Sequence, residues 1–321
     1  MNVNMVGALN NALELIMKAD DKVVLLGEDI GKDGGVFRVT DGLEEKFGQG
    51  RVIDTPLAES VILGSAIGMA ISGMRPIPEI QFAGFMLMGF DQLVNHAARY
   101  RTRSRSRFSV PMVVRTPVSG GVRTLEHHSD SPEAYYSHIG GLIVVEPSNP
   151  YDAKGLLMRA ARMDDPVIFL EPTKLYRLFK QEIPDEAYEI PIGKANIVQE
   201  GEKLTIVTFG TMVPVVKEVV AKKGVSAEII DLRTINPIDE ETIINSAKKT
   251  GRVVIVHEAQ TSFGVGAEIS ARIAEKAIFE LSAPIVRVGS HSFPYPFPGY
   301  ENYYIPNAVK VSKAIDKVLQ A

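Results

Sequence analysis

Three features of this sequence predict an α/β protein of two three-layer domains, each a mostly parallel sheet covered by helices on both faces. Short strand-like segments alternate with helical ones from Val23 to Leu319. The strands are continuous apolar runs rather than alternating ones, the pattern of strands buried on both faces. The chain is also long for one core, at 321 residues, and its texture changes over Glu171 to Gly193, where Pro172, Pro184 and Pro191 stand among charges. That stretch reads as a surface linker. It divides the chain into a first domain over 1–185 and a second over 186–321.

In the first unit, Val23 to Gly27 reads as a strand ending in Glu28-Asp29, followed by a loop holding Gly31, Gly34 and Gly35. Arg51 to Ile53 approach Asp54-Thr55-Pro56-Leu57-Ala58-Glu59-Ser60, and a helix follows, poor in bulky side chains through Gly64, Ala66, Gly68, Ala70 and Gly73. Such a helix lets another backbone come close, at some cost in helix propensity. Glu59 falls at its start, where a carboxylate is favoured by the helix dipole. It either completes the first turn or points into a cleft made with a second chain. Ile77 to Phe82 reads as a strand and Phe90 to Arg101 as a helix, with Leu93, Ala97 and Tyr100 on one face. Val110 to Thr116 leads into a loop with Gly120, Gly121, His127 and His128. Leu142 to Val145, the helix Pro150 to Met163 and Val167 to Leu170 complete the unit. The second has strands at Leu204 to Phe209, Ala227 to Asp231, Arg252 to His257 and Pro284 to Val288, with helices between and after them. Parallel sheets bind ligands beyond the carboxyl ends of their strands. Glu28, Glu59, Phe85 and His128 all lie at or just after such ends.

Composition bounds the function. A hydrophobic share of 45%, a charged share of 23% and a net charge of −4 describe an ordinary globular chain, and the negative balance argues against nucleic acid as partner. Without cysteine there is no thiol nucleophile or thiolate metal site, which fits a cytoplasmic setting. The first residues read as a helix rather than a signal peptide, and no apolar run reaches the roughly 18–20 residues of a membrane span. There is no phosphate-binding loop of the Walker type and no HExxH pair for zinc. Phe263 to Ala267 reads as a tight strand-to-helix turn. The alternating arginines from Arg99 to Arg107 read as a solvated helix end and loop. The tail from Phe293 to Tyr300 is too rich in Pro for a core helix and packs either on a partner or on its own chain.

Read together, LGEDIG (Leu26 to Gly31), GGVFRVTDGL (Gly34 to Leu43), RVIDTPLAES (Arg51 to Ser60), RPIPEIQF (Arg75 to Phe82), DQLVNHAA (Asp91 to Ala98), HHSDSPEAYYSHIGGL (His127 to Leu142), EPTKLYR (Glu171 to Arg177) and DLRTINPID (Asp231 to Asp239) resemble the beta subunit of the thiamine-diphosphate-dependent decarboxylating component of 2-oxoacid dehydrogenase complexes. The resemblance runs nearly end to end. It implies a pyrimidine-binding domain followed by a transketolase C-terminal-like domain.

The resemblance also implies roles. Glu59 matches the glutamate that hydrogen-bonds N1′ of the cofactor's aminopyrimidine and governs its protonation. Phe85 matches the aromatic that stacks on that ring, and Leu57 the residue that holds the cofactor bent. His128 matches the histidine that meets substrate or the incoming lipoyl group. Glu28 and Asp91 resemble acidic positions at the interface with the alpha chain, where a proton relay between active sites is proposed. Magnesium and the diphosphate fall to the alpha subunit, since no GDG-type motif is present here. The implied assembly is a two-alpha, two-beta heterotetramer, active only when complete, that passes an acyl group to the lipoyl acyltransferase core. Branched-chain 2-oxoacids are the first expected substrate and pyruvate the second, with the acetoin-cleaving enzyme or a non-catalytic scaffold relative as alternatives. Three departures stand out. Gly84 occupies a position often acidic in the family. Arg105-Ser106 replaces a common Gly-Gly, predicting a loop of different shape and charge. Met163-Asp164-Asp165 replaces the usual acid-and-amide pattern of a structural potassium site, leaving Asp165 as its candidate ligand.

Overall fold

The structure, a computed structural model, describes residues 1–321. Seven strands form the first sheet, in the order Thr234–Asn236, Ile143–Val145, Val167–Pro172, Val113–Val118, Arg75–Glu79, Val23–Gly27 and Val52–Asp54. All neighbours are parallel except the first pair. Successive side chains leave a strand on opposite faces. Val23, Leu25, Val113 and Val145 accordingly pack with the helices Met5–Ala19 and Pro150–Ala160, while Leu26, Val114 and Val144 pack with the helix Glu59–Ile71. Both helices of the first face start on an asparagine cap: Asn4 accepts from the Gly7 amide and Asn149 from the Asp152 amide.

The second sheet runs Val286–Ser290, Val253–Gln260, Leu204–Thr208, Ala227–Asp231 and Asn196–Gln199, parallel but for the last strand. Its outer face is covered by the helices Met212–Lys223 and Ala308–Gln320. On the inner face one core continues from Leu63 and Val114 through Val207 to Ile269, so the two sheets share buried apolar surface. No helix is long and apolar enough to cross a membrane.

The sequence reading differs from the structure in three places. Thr234–Asn236 lies in the chain between two strands of the second sheet, Ala227–Asp231 and Val253–Gln260, but closes the edge of the first, antiparallel to Ile143–Val145. The stretch read as linker begins inside the first unit: Glu171 and Pro172 end a buried strand, and Leu175 and Tyr176 are core. The segment read as one helix over Phe90 to Arg101 is a wide-turned helix at Gln92–Ala97 followed by a short α-helix at Tyr100–Arg103.

Candidate active site

The carboxyl ends of the central strands of the first sheet carry the site. Gly27 ends a strand, and its carbonyl accepts from the Thr55 amide at 2.9 Å. The Gly31 amide donates to Asp54 at 2.6 Å. These two bonds hold the Glu28 loop against the segment leading to Leu57 and Glu59. A Cβ on Gly27 would approach the Glu79 carbonyl to 2.7 Å, so the residue must be glycine for the strands to lie this close.

Glu59 is the first residue of its helix and is buried, 9% exposed. Its carboxylate finds no donor among the side chains of this chain. The helix dipole favours a negative charge there by about 0.3–1 kcal/mol. Glu28 is buried beside it, and one of its carboxylate oxygens has no partner. Burial, together with the Glu59 and Asp29 charges, raises the Glu28 carboxyl above its ordinary range. Two neighbouring carboxyl groups that lack internal donors form a site for an outside donor. Leu57 and Val61, two residues to either side of Glu59, and Met88 in the turn packed on this helix are all strongly exposed. The outer face of the helix is bare as well, for nothing lies within 4 Å of a Cβ on Gly68.

Phe85 opens the turn Phe85–Gly89, which packs on the helix start. Gly89 permits this, since a Cβ there would stand 3.4 Å from the Glu59 carbonyl and closer still to Leu63. His128 sits in a one-turn helix, Glu126–His128. Its ring meets Phe82 edge-on at 4.3 Å and Phe85 at 5.3 Å. Its buried Nδ1 has no hydrogen-bond partner, so packing and backbone alone fix the ring. The structure thus joins Glu28 to Glu59 and Phe85 to His128, on the two sides of the helix start. Asp91 is exposed and accepts from Asn95 at 2.6 Å.

Gly84 explains itself here. A Cβ at this position would stand 2.5 Å from the His127 carbonyl and 2.7 Å from an Asp130 carboxylate oxygen. The histidine loop therefore leans on bare backbone, and the acid at this spot comes from Asp130. Burial raises the Asp130 carboxyl, with His127 opposing.

At the expected potassium position, Arg101 Nε donates to the Asp165 carboxylate at 2.6 Å. Arg75 donates to the carbonyls of Ala161 and Met163 and to the Asp164 carboxylate. Two guanidinium groups already occupy these oxygens, so this turn does not fit a cation held by the Asp165 carboxylate. The loop that follows Arg101 keeps a glycine-like backbone without glycine: φ is 55° at Arg105 and 61° at Ser106.

Two functional candidates were missed in the sequence. Glu258 and Glu301, buried in the second unit, accept hydrogen bonds from the glycine loop of the first. Glu258 interrupts an apolar strand, a signal that was available; Glu301 lies in an irregular tail. A cavity of about 1270 Å³ runs between the units beside this loop, past Asp130, Tyr135, Glu258 and Tyr295, and is not lined by Glu59, Phe85 or His128. The Glu59 face is an open surface rather than an enclosed pocket.

Comparison with known proteins fits this arrangement. The family model for the transketolase pyrimidine-binding domain matches residues 1–178, and that for the transketolase C-terminal domain matches residues 193–311. The pyruvate dehydrogenase E1 component subunit beta of Acholeplasma laidlawii is 51% identical over 322 residues, 99% of this chain and 98% of that one. The protein of the same name from Staphylococcus aureus is 48% identical over 99% of both chains. A solved split-gene transketolase, an inactive beta4 tetramer, superposes with a TM-score of 0.80 at 22% identity over 99% of both chains, a likeness of fold. The chain belongs to the family of pyruvate dehydrogenase E1 component beta subunits, with the two-domain transketolase-like fold.

Proposed function

We propose that this chain is the beta half of a thiamine-diphosphate-dependent 2-oxoacid dehydrogenase that decarboxylates pyruvate together with an alpha chain. One observation carries the reading. Glu59, 9% exposed, stands at a helix start without a hydrogen-bond donor from its own chain, near a half-buried Phe85 and an exposed apolar rim. These residues fit the aminopyrimidine half of the cofactor. Glu59 accepts from a ring nitrogen, Phe85 offers a flat apolar face and Leu57 a bulky one. The bound cofactor supplies the electron sink for loss of carbon dioxide. The chain supplies position and control of a proton at Glu59, and His128 meets the substrate or lipoyl group.

Pyruvate comes first because relatives 48–51% identical over 95% or more of the chain carry it in their names. Branched-chain acids, which the motifs alone put first, become the second choice. The bare glycine face of the Glu59 helix and exposed Leu57, Val61 and Met88 suit burial by a partner, and a two-alpha, two-beta assembly serves that need. The alpha chain then holds magnesium and the diphosphate. The assembly acylates the lipoyl domain of an acyltransferase core in the cytoplasm.

The test is decarboxylation with an artificial electron acceptor. This chain is mixed with its alpha chain, thiamine diphosphate and Mg²⁺, and pyruvate is compared with 3-methyl-2-oxobutanoate. Activity is expected only in the mixture, higher with pyruvate, and lost in a Glu59→Gln variant that still assembles. Full activity in assembled Glu59→Gln would end this reading.

A further inference from the structure

Residues 119–130 form a closed loop, because the Ser119 amide donates to the Asp130 carbonyl at 2.8 Å. His128 rides on it. Inside the loop Thr124 bonds to the His128 carbonyl and to Ser129, so residues 124–129 form one stiff turn. That turn does not anchor itself. The near limb winds through three left-handed residues, Ser119, Gly121 and Arg123, with φ of 70°, 89° and 60°. Two of these are not glycine, so the conformation needs outside support.

The support comes from the second unit. Glu258 accepts from the Gly120 amide at 2.5 Å and from the Thr211 hydroxyl at 2.6 Å. One oxygen of Glu301 accepts from the Gly121 amide at 2.8 Å, the Arg123 amide at 3.3 Å and the Tyr295 hydroxyl at 2.5 Å. The Tyr295 hydroxyl lies so close over Gly120 that a Cβ there would collide with it. Both carboxylates are buried, at 6% and 3% exposure, and the bonds span 138 to 180 residues of chain. The Pro-rich tail thus brings Tyr295 and Glu301 to the loop of the other unit. The His128 ring has no hydrogen bond through its buried Nδ1, so the placement of its backbone decides where the ring lies.

We infer that Glu301, with Tyr295 and Glu258, is a positioning device: the second unit clasps the near limb of the 119–130 loop and thereby sets His128 against Phe85. The inference rests on the reading of His128 as the group that meets substrate, but the clasp itself is tested separately. Hydrogen–deuterium exchange is followed in the full chain, free and assembled with the alpha subunit, for wild type, Glu301→Ala, Glu301→Gln, Tyr295→Phe and the surface control Glu202→Ala. In Glu301→Ala, exchange over residues 119–130 should rise at least tenfold, while the strands Val113–Val118 and Leu204–Thr208 keep wild-type protection. Tyr295→Phe, which removes a single hydroxyl, should give a smaller rise at the same place. Glu301→Gln keeps an acceptor for the Gly121 amide and should restore part of the protection. In the assembled enzyme kcat should fall about tenfold in Glu301→Ala with the thiamine diphosphate Kd unchanged, in the same rank order as the exchange. Unchanged exchange in the loop, or a rise spread equally over both sheets, would overturn the clasp. If His128→Ala retains full turnover, the catalytic reading of the loop fails, and the exchange pattern still decides the clasp.

Discussion

Arg115 grips the carboxylate of Glu171 through Nε and Nη2, at 2.7 and 2.9 Å, in the middle of the first sheet. Its third contact, from Nη1, is Glu79 at 2.7 Å, and the Tyr176 hydroxyl donates to Glu171 at 2.6 Å. All four residues are buried. Burial would lower the Arg115 pKa, but Glu171 and Glu79 drive it up. Burial raises the Glu79 carboxyl, with Arg115 opposing. Glu79 ends the strand that leads to Phe85, so this network sits directly under the site.

Removing the cation should be worse than removing the whole network, because it strands two carboxylates without a counter-charge. Arg115→Met is expected to cost about 3–5 kcal/mol in urea unfolding. Adding Glu79→Gln and Glu171→Gln to that variant should recover much of the loss. A single variant as stable as wild type would show that the carboxylates are neutral without Arg115.

Gly84 gives a second test. Alanine there adds one methyl group against the His127 carbonyl and the Asp130 carboxylate. Overpacking of this kind costs about 1–3 kcal/mol. The strain should be relieved by moving the histidine loop away from Phe85. Gly84→Ala is therefore expected to fold and assemble, to bind cofactor, and to lose about tenfold in turnover. Unchanged turnover would mean that the loop stands off from Gly84 in solution.

Much of the frame is written locally. Val23 to Gly27, Val167 to Leu170 and Val253 to Val256 are apolar runs of the length of buried strands, and Glu59 sits where a thin helix begins. What the sequence hides depends on distance along the chain. Thr234–Asn236 has three residues and no periodicity, and its partner strand lies some ninety residues earlier. Glu301 looks like any acid in an irregular tail until folding brings it to Gly121. Charged residues inside apolar strands, such as Arg115, Glu171 and Glu258, were the readable warning that buried polar networks lay ahead.

The pH dependence of stability follows from two buried groups with opposite signs. His257 is fully buried, stacks on Phe209 and has no partner on either ring nitrogen. Burial, with Arg287 nearby, pushes it down to about 4 from an ordinary 6.5. The unfolded chain binds the extra proton between these values, so stability rises with pH from about 4 to 6.5, by about 3 kcal/mol. Glu133 is buried near Glu258 and is pushed up to about 8 from 4.5, chiefly by burial. Here the folded chain holds the extra proton, so stability is lost progressively as pH rises from about 4.5 to 8. Urea titrations across this range should show His257→Leu flattening the acid side and Glu133→Gln flattening the alkaline side. If neither variant alters the profile, both groups are hydrated in the fold.

The helix Tyr100–Arg103 ends in a motif that normally asks for glycine. The Ser106 amide donates to the Arg101 carbonyl at 2.8 Å and the Arg105 amide to the Thr102 carbonyl at 3.0 Å. That is the paired bonding of a Schellman cap, with Arg105 at its left-handed position. A residue with a Cβ costs about 1–2 kcal/mol in this conformation, and glycine avoids the cost at the expense of a more flexible unfolded chain. Arg105→Gly should therefore stabilise the protein by about 0.5–1 kcal/mol, whereas Arg105→Ala should give no gain. Both changes remove the same charge, so thermal unfolding of the pair separates backbone strain from electrostatics. Equal stabilisation by the two would assign the effect to repulsion among Arg103, Arg105 and Arg107, and the left-handed cap would then be no burden on the fold.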